Sequence, residues 1–367
     1  MTVSAGDDLL MADVTIGRSG AMATIGLNRV KALNALTTDM RETIAAAIPS
    51  FSRDPNLYIV VLRSSSPKAF SAGGDVRELV AWGRTDPARA KAAFAAEYRL
   101  NWTLECFSKP TVSLADGLVM GSGVGISIYN THRVAGEGYR FAMPETAIGL
   151  FPDVGVAHAL ARLPGEIGTY LGLTGRTIGR AEAFRLGLVT HCIAGSEFAG
   201  IEAQLADAQP VDRLLDGMHQ DPETGELAPH RGLIADCFAA DTVEAITERL
   251  ARSAASGHDF AAPILTDLAK RSPTSLKITL RHLRAARTLD LRSVLAADYR
   301  LACRCLDGHD FAEGVRAALI DKDNLPVWSP ARITDVAQGM VDAHFAALRP
   351  GEELELPTRA EMQAARV

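Results

Sequence analysis

The sequence predicts an α/β chain with a helical C-terminal region, and three observations carry that prediction. Short apolar, often β-branched runs alternate with helix-patterned stretches as far as Ile193. Beyond about Phe198 the apolar residues recur at three- and four-residue spacing, with little strand signal. Two glycine-rich passages, AFSAGGD at 69–75 and GLVMGSGVGI at 117–126, each stand between a strand and a helix.

The elements follow in order. VTIGRSGAMATIGLN, from Val14 to Asn28, alternates apolar and polar positions around Ser19 and Gly20, the pattern of a hairpin. Thr37 or Thr38 caps the helix that begins TDMRETIAAAI, Pro55 closes the next turn, and YIVVLR at Tyr58 to Arg63 reads as a buried strand. A polar-faced helix is expected from about Asp86 to Phe107, leading through Lys109 and Pro110 into the strand TVSLAD and then into the helix GVGISIYN. After HRVAG and YRFAM, short elements continue to the strand-like VTHCI that ends at Ile193. SPTSLKITLRHLRAA, LRSVLAADYRLACRCL and HDFAEGVRAALI then read as helices, the last with Asp310 near its cap. The expected units are an α/β core over 12–193, a helical region over 194–335 that completes it, and a peripheral tail over 336–367. The final twenty or so residues are expected to be loosely held.

Composition narrows the partners. Of 367 residues, 47% are hydrophobic, enough for a sizeable core. The 38 Lys and Arg against 44 Asp and Glu leave a net charge of -6, which disfavours general nucleic-acid binding and points to a small-molecule ligand. No apolar run is long enough for a membrane span. Asp7, Asp8 and Asp13 precede the first basic residue, Arg18, against a secretory or transit peptide, so a cytoplasmic location is expected if the source is prokaryotic. Five sparse cysteines, with Cys303 and Cys305 too close for a metal knuckle, and nine scattered histidines leave no cofactor or metal expected.

The two glycine-rich turns carry the chemistry. Gly73 and Gly74 allow a tight turn before a helix start, with Ala72 placed to donate its N–H; GLVMGSGVGI repeats the arrangement around Gly121 and Ser122. Two N–H groups from different crossovers meeting over one carbonyl oxygen form an oxyanion hole, although a plain strand-to-helix turn explains either passage alone. Neither passage is a dinucleotide fingerprint or a Walker loop. Ser122 is no nucleophile elbow, because Met120 and Val124 occupy the positions where that motif needs glycine. AMPETAIGLFPDVG then places Glu145 and Asp153 each after a proline. These acids either converge as a catalytic pair or cap helices, and His158 reads as a packing residue.

KAFSAGGDV, DGLVMGSGVGISI and FAMPETAIGLFPDVG together resemble the crotonase, or enoyl-CoA hydratase/isomerase, superfamily. SPTSLKITLR, DYRLACRCLDGHDFAEGVRAALIDKD and NLPVWSP bring the resemblance nearest to its 3-hydroxyisobutyryl-CoA hydrolase subgroup, over roughly residues 12–335. The resemblance implies a crotonase-like spiral of ββα units that binds an acyl-CoA thioester between the turns. It assigns the oxyanion hole to the N–H groups of Ala72 and Ser122, with Gly73, Gly74 and Gly121 around them. Ser122 stands where the family commonly has Gly. Glu145 and Asp153 match catalytic acids, and Glu97, which helix patterning alone reads as solvated, matches a substrate-pocket glutamate. Gly125 stands where hydratases place a second catalytic Glu. Arg77 and Lys68 either attract CoA phosphates or are ordinary surface charges. The implied reaction is hydrolysis of 3-hydroxyisobutyryl-CoA, with 3-hydroxypropionyl-CoA as a close second, in valine breakdown and without a cofactor. Hydration or isomerisation of enoyl-CoA and a non-catalytic acyl-CoA scaffold are the alternatives. A homo-oligomer is possible, since relatives commonly form trimers or pairs of trimers.

Overall fold

The computed structural model describes residues 12–366, so the opening segment MTVSAGDDLLM, with Asp7 and Asp8, lies outside the described residues. The hairpin forms as its alternation predicts: β1 (Val14–Ser19) runs antiparallel to β2 (Met22–Leu27), with Ser19 opposite Met22 across Gly20 and Ala21. Thr37, rather than Thr38, caps α1 (Thr38–Arg53) by accepting from the Met40 N–H. Met40, Ile44, Ala47, Ile48 and Phe51 form the buried stripe of that helix, and Arg41 is buried beside them.

From β2 the chain extends a parallel sheet through β3 (Ile59–Ser64), β5 (Thr111–Ala115), β7 (His132–Ala135) and β10 (His191–Cys192). β3, β5 and β7 are each followed by a short strand of a second sheet: β4 (Ala69–Ser71), β6 (Leu118–Met120) and β8 (Arg140–Ala142), with β9 (Ile178–Gly179) antiparallel to β8. The chain thus winds between two sheets, and each passage from the second sheet ends in a turn or helix on one side. The resemblance implied this spiral. β6 lies inside the glycine-rich GLVMGSGVGI, where three residues are too few to show strand alternation.

Between the strands stand α2 (Val76–Thr85), α3 (Pro87–Cys106) and α4 (Ser122–Ser127). Asp86 caps α3 by accepting from the Arg89 N–H, and Pro87 occupies the first turn, where its missing N–H costs nothing. The expected polar face of α3 is in part buried: Glu97, Tyr98 and Asn101 are all inside.

The larger sheet is covered on both faces. Val60 and Leu62 of β3 join the main core, while Ile59 and Val61 pack with Val112, Leu114 and Val134 against Ile201, Leu205, Val211 and Leu215. These last four come from helices Phe198–Ala206 and Val211–Met218, so the helical region supplies the layer that the strands require. Helix Leu291–Asp307 packs on α3, and Pro273–Ala286 joins the same main core.

The C-terminal residues depart from the loose tail that was expected. Leu354, Leu356 and Met362 are buried, the Trp102 indole N–H donates to the Pro357 carbonyl at 2.8 Å, and Arg292 Nε donates to Leu356 at 2.7 Å. Apolar residues spaced between charges gave too weak a period to reveal this strap across α3. No helix among the described residues is long and apolar enough to cross a membrane.

Candidate active site

The two glycine-rich turns come face to face, with one correction. Ala72 does not offer a free N–H, because that group donates to the Leu33 carbonyl at 2.9 Å. The loop before α1 runs alongside the first turn: Leu36 N donates to Gly73 O at 2.8 Å, and Asp75 N donates to Leu36 O at 2.9 Å. This pairing engages the amides of Ala72 and Asp75 and leaves the Gly74 N–H between them without a backbone acceptor among the described residues. The available donor is therefore Gly74, two residues on from the expected one. Local spacing carried no sign of it, because the Leu33 loop is distant in sequence.

In the second turn Gly121 adopts φ +46° and ψ -122°, a conformation for which glycine is suited, and α4 begins at Ser122. As the first helical residue, Ser122 has no intrahelical acceptor for its N–H. A Cβ placed on Gly74 would fall 2.8 Å from Ser122 Oγ, and one on Gly73, at φ +112°, would fall 3.5 Å from Met120 O. Ala72, Gly73, Gly74, Gly121 and Ser122 line one cavity of about 290 Å³.

Glu145 and Asp153 line the same cavity, and neither caps a helix. Pro144 leads into the short 3-10 turn Glu145–Ile148, and Glu145 Oε1 lies 3.0 Å from the position a Cβ on Gly121 would take. Glu145 Oε2 is buried without a hydrogen-bond partner. Burial pushes the Glu145 carboxyl up to about 8, and the charge of Glu97 pushes the same way. Burial also raises Asp153 well above the usual carboxylate range, with further upward pressure from Glu97 and Glu145; the Tyr98 hydroxyl, donating to Asp153 Oδ2 at 2.8 Å, opposes this.

Both acid loops are pinned by the C-terminal helices. Val154, at φ +51°, accepts from the Tyr129 hydroxyl, and the Gly155 N–H donates to Asp298 Oδ2 at 2.6 Å. Asp298 is held in turn by buried His282 at 2.6 Å. Ser272 N donates to the carbonyl of Thr146 at 3.1 Å, and Ser272 Oγ donates to Asp310 Oδ2 at 2.6 Å. Asp310 stands in the first turn of helix His309–Val315, as its place in the sequence suggests, and also serves as an internal brace behind Glu145. The helical region both closes the core and fixes the two acids.

Glu97 is 4% exposed and lines the cavity, against the solvated position that helix patterning alone suggests. Its Oε2 lies 3.1 Å from Nη1 of Arg41, which is equally buried. Arg41 and Tyr98 were not singled out from the sequence. An arginine within the apolar stripe of α1 was the available signal for the first; nothing local marked the second. Arg77 is drawn onto Asp75, with Nε 2.9 Å from Oδ1, and neither Arg77 nor Lys68 lines the cavity. His158 is half-buried, with its pKa lowered mainly by burial, and lies outside the cavity lining, consistent with packing. At Gly125, where the resemblance puts a second hydratase glutamate, an added Cβ would meet Val154 Cβ at 2.8 Å and Asn101 Nδ2 at 2.9 Å, so a larger side chain does not fit there.

Residues 22–345 match the family model described as enoyl-CoA hydratase/isomerase. The chain belongs to the enoyl-CoA hydratase/isomerase family. Among curated relatives in this family, the mitochondrial 3-hydroxyisobutyryl-CoA hydrolase of Rattus norvegicus is 40% identical over 92% of this chain and 89% of its own length. The Homo sapiens protein of the same name is 39% identical over the same shares, and 3-hydroxyisobutyryl-CoA hydrolase 1 of Arabidopsis thaliana is 37% identical over 96% of both. Among solved structures, a carnitinyl-CoA dehydratase from Mycobacterium thermoresistibile superposes with a TM-score of 0.88 at 35% identity, covering 94% of this chain and 98% of that one. An enoyl-CoA hydratase from Rhodobacter sphaeroides gives 0.87 at 37%, covering 94% and 100%. The enoyl-CoA hydratase/isomerase fold therefore extends through the helical region.

Proposed function

We propose that this enzyme hydrolyses the thioester of 3-hydroxyisobutyryl-CoA, and of 3-hydroxypropionyl-CoA as a close analogue, releasing the free 3-hydroxy acid and CoA. The observation that carries the reading is the placement of the acids: Glu145 stands against the second turn, Asp153 shares its cavity, and Val154 fills the space beside Gly125. The second carboxylate of the site then comes from the Asp153 loop, not from α4. Relatives named 3-hydroxyisobutyryl-CoA hydrolase, matched over nine-tenths of the chain, support the same substrate.

In this scheme the thioester oxygen lies between the N–H groups of Gly74 and Ser122. Negative charge grows there as the carbonyl carbon is attacked, and losing one such donor typically costs about 3 kcal/mol of transition-state stabilisation. Glu145 provides the attack, either by deprotonating a water or by adding its own carboxylate to form a mixed anhydride that water then opens. Asp153, held by Tyr98, orients the hydroxyacyl group or carries the proton that CoA thiolate takes as it leaves. None of these steps requires a cofactor.

The second reading is hydration of an enoyl-CoA, favoured by the names of the two solved relatives. Product analysis separates the two. Hydrolysis predicts one free thiol and one 3-hydroxy acid for each 3-hydroxyisobutyryl-CoA consumed; hydration of crotonyl-CoA without thiol release contradicts the proposal.

A further inference from the structure

We propose that Arg41, together with Glu97, binds the 3-hydroxyl of the acyl group and makes the enzyme selective for 3-hydroxyacyl thioesters over the same acyl chain without the hydroxyl. This rests on the hydrolase reading above and adds to it the group that chooses the substrate.

Arg41 is 3% exposed and lines the cavity. Its Nη1 lies 3.1 Å from Glu97 Oε2, close enough for an ion pair but out of line for a hydrogen bond. Nε and Nη1 are both buried without a hydrogen-bond acceptor among the described residues, and Nη2 reaches only Thr38 Oγ1, at 3.5 Å. A buried cationic donor left idle is costly, so N–H groups in this position await an acceptor that arrives with the ligand.

The place of the guanidinium identifies that acceptor. A Cβ on Gly74 would fall 3.3 Å from Arg41 Nη1, so the guanidinium abuts the residue whose N–H faces the thioester oxygen. In a 3-hydroxyacyl group the hydroxyl carbon is two bonds from the thioester carbon, so an acyl group seated on Gly74 brings its hydroxyl to this corner. A hydroxyl both donates and accepts; Arg41 only donates and the Glu97 carboxylate only accepts. The pair satisfies both sides of a hydroxyl. An alkyl group satisfies neither, and it removes water from both charges. A free carboxylate on the acyl chain is disfavoured as well, since Glu97, Glu145 and Asp153 already face the cavity. Val76, Leu79, Phe94 and Leu150 supply the apolar wall for the carbon skeleton.

The test compares 3-hydroxyisobutyryl-CoA with isobutyryl-CoA, which differ only in the hydroxyl. A site built to bond a hydroxyl can reject the analogue lacking it by about 10⁴-fold, so a wild-type ratio of kcat/KM of at least about 10² is expected. Arg41→Gln and Glu97→Gln each shrink that ratio at least about tenfold, by losing activity on the hydroxylated ester and little on the other. Equal losses on both esters, or no discrimination by the wild type, overturn the proposal. Glu97→Gln keeps its shape and decides the matter if Arg41→Gln fails to fold. Calorimetric binding of the two esters to the wild type separates the two ideas: tighter binding of the hydroxylated ester without turnover sinks the hydrolase reading alone, and equal binding with turnover and equal kcat/KM sinks the hydroxyl clamp alone.

Discussion

Val154 packs its Cβ into the space that a side chain at Gly125 would need, 2.8 Å from where that Cβ would stand. The contact joins α4, which carries the Ser122 donor, to the loop that carries Asp153. Gly125→Ala is therefore expected to destabilise the fold by about 1–3 kcal/mol through overpacking. It is also expected to lower kcat by displacing Asp153. Thermal or denaturant unfolding with steady-state kinetics checks both, and an unchanged kcat in a folded Gly125→Ala enzyme refutes the coupling.

The Ser122 side chain and its N–H have separable roles. Ser122→Gly retains the donor and is expected to stay within a few-fold of wild-type kcat. Ser122→Pro removes the donor while placing proline at the first helical position, where it is tolerated. Gly121, at φ +46° and ψ -122°, mirrors the extended conformation preferred before proline. The proline variant is expected to lose about 10²–10³ in kcat with near-native unfolding. A collapse in Ser122→Gly as deep as that in Ser122→Pro would assign the work to the hydroxyl, which both variants lack; full activity in Ser122→Pro would remove the N–H from the mechanism.

Glu145 must be ionised to attack or to take a proton from water. Because burial raises it to about 8, kcat/KM is expected to fall tenfold per pH unit below that value and to level off above it. Glu97 adds to the upward shift, so Glu97→Gln is expected to move the limb to lower pH. A limb that stays fixed, or moves upward, contradicts this electrostatic account.

The same shift has a stability consequence. Between the usual carboxylate range, near 4.5, and about 8, folded Glu145 holds a proton that the unfolded chain has lost, so its contribution to stability diminishes as pH rises through that window. Glu145→Gln removes the ionisation. The variant is expected to match the wild type near the acid end of the window and to exceed it by about 1–2 kcal/mol toward the alkaline end. Denaturant unfolding across that range checks the trend, and a destabilised variant at the alkaline end contradicts it.

Much of this arrangement is visible in the letters, for reasons that differ by element. The β1–β2 hairpin and β3 announce themselves by alternation and by apolar runs, and Pro144 and Pro152 mark the acids because proline restricts the backbone locally. The turns around Gly73, Gly74 and Gly121 show as glycines, yet which amide stays free depends on Leu33 and Leu36, whose pairing with the turn is tertiary. That is why Ala72 looked like the donor and Gly74 is the free one. Glu97 and Tyr98 sit on a helix whose buried face carries polar residues, which hides burial from any hydrophobic period. The Asp310, Ser272 and Thr146 brace ties Thr146 to residues more than a hundred positions further along the chain, and no local pattern encodes it.

The role proposed for Glu145 is to drive thioester cleavage in this cavity. Release of free CoA from 3-hydroxyisobutyryl-CoA by wild type and by Glu145→Gln, with acyl-CoA binding and folding confirmed for both, tests it most directly. Rapid stoichiometric release by the wild type and a loss of about 10²–10⁴ in the variant are expected. Release by Glu145→Gln within a few-fold of the wild type would contradict that role.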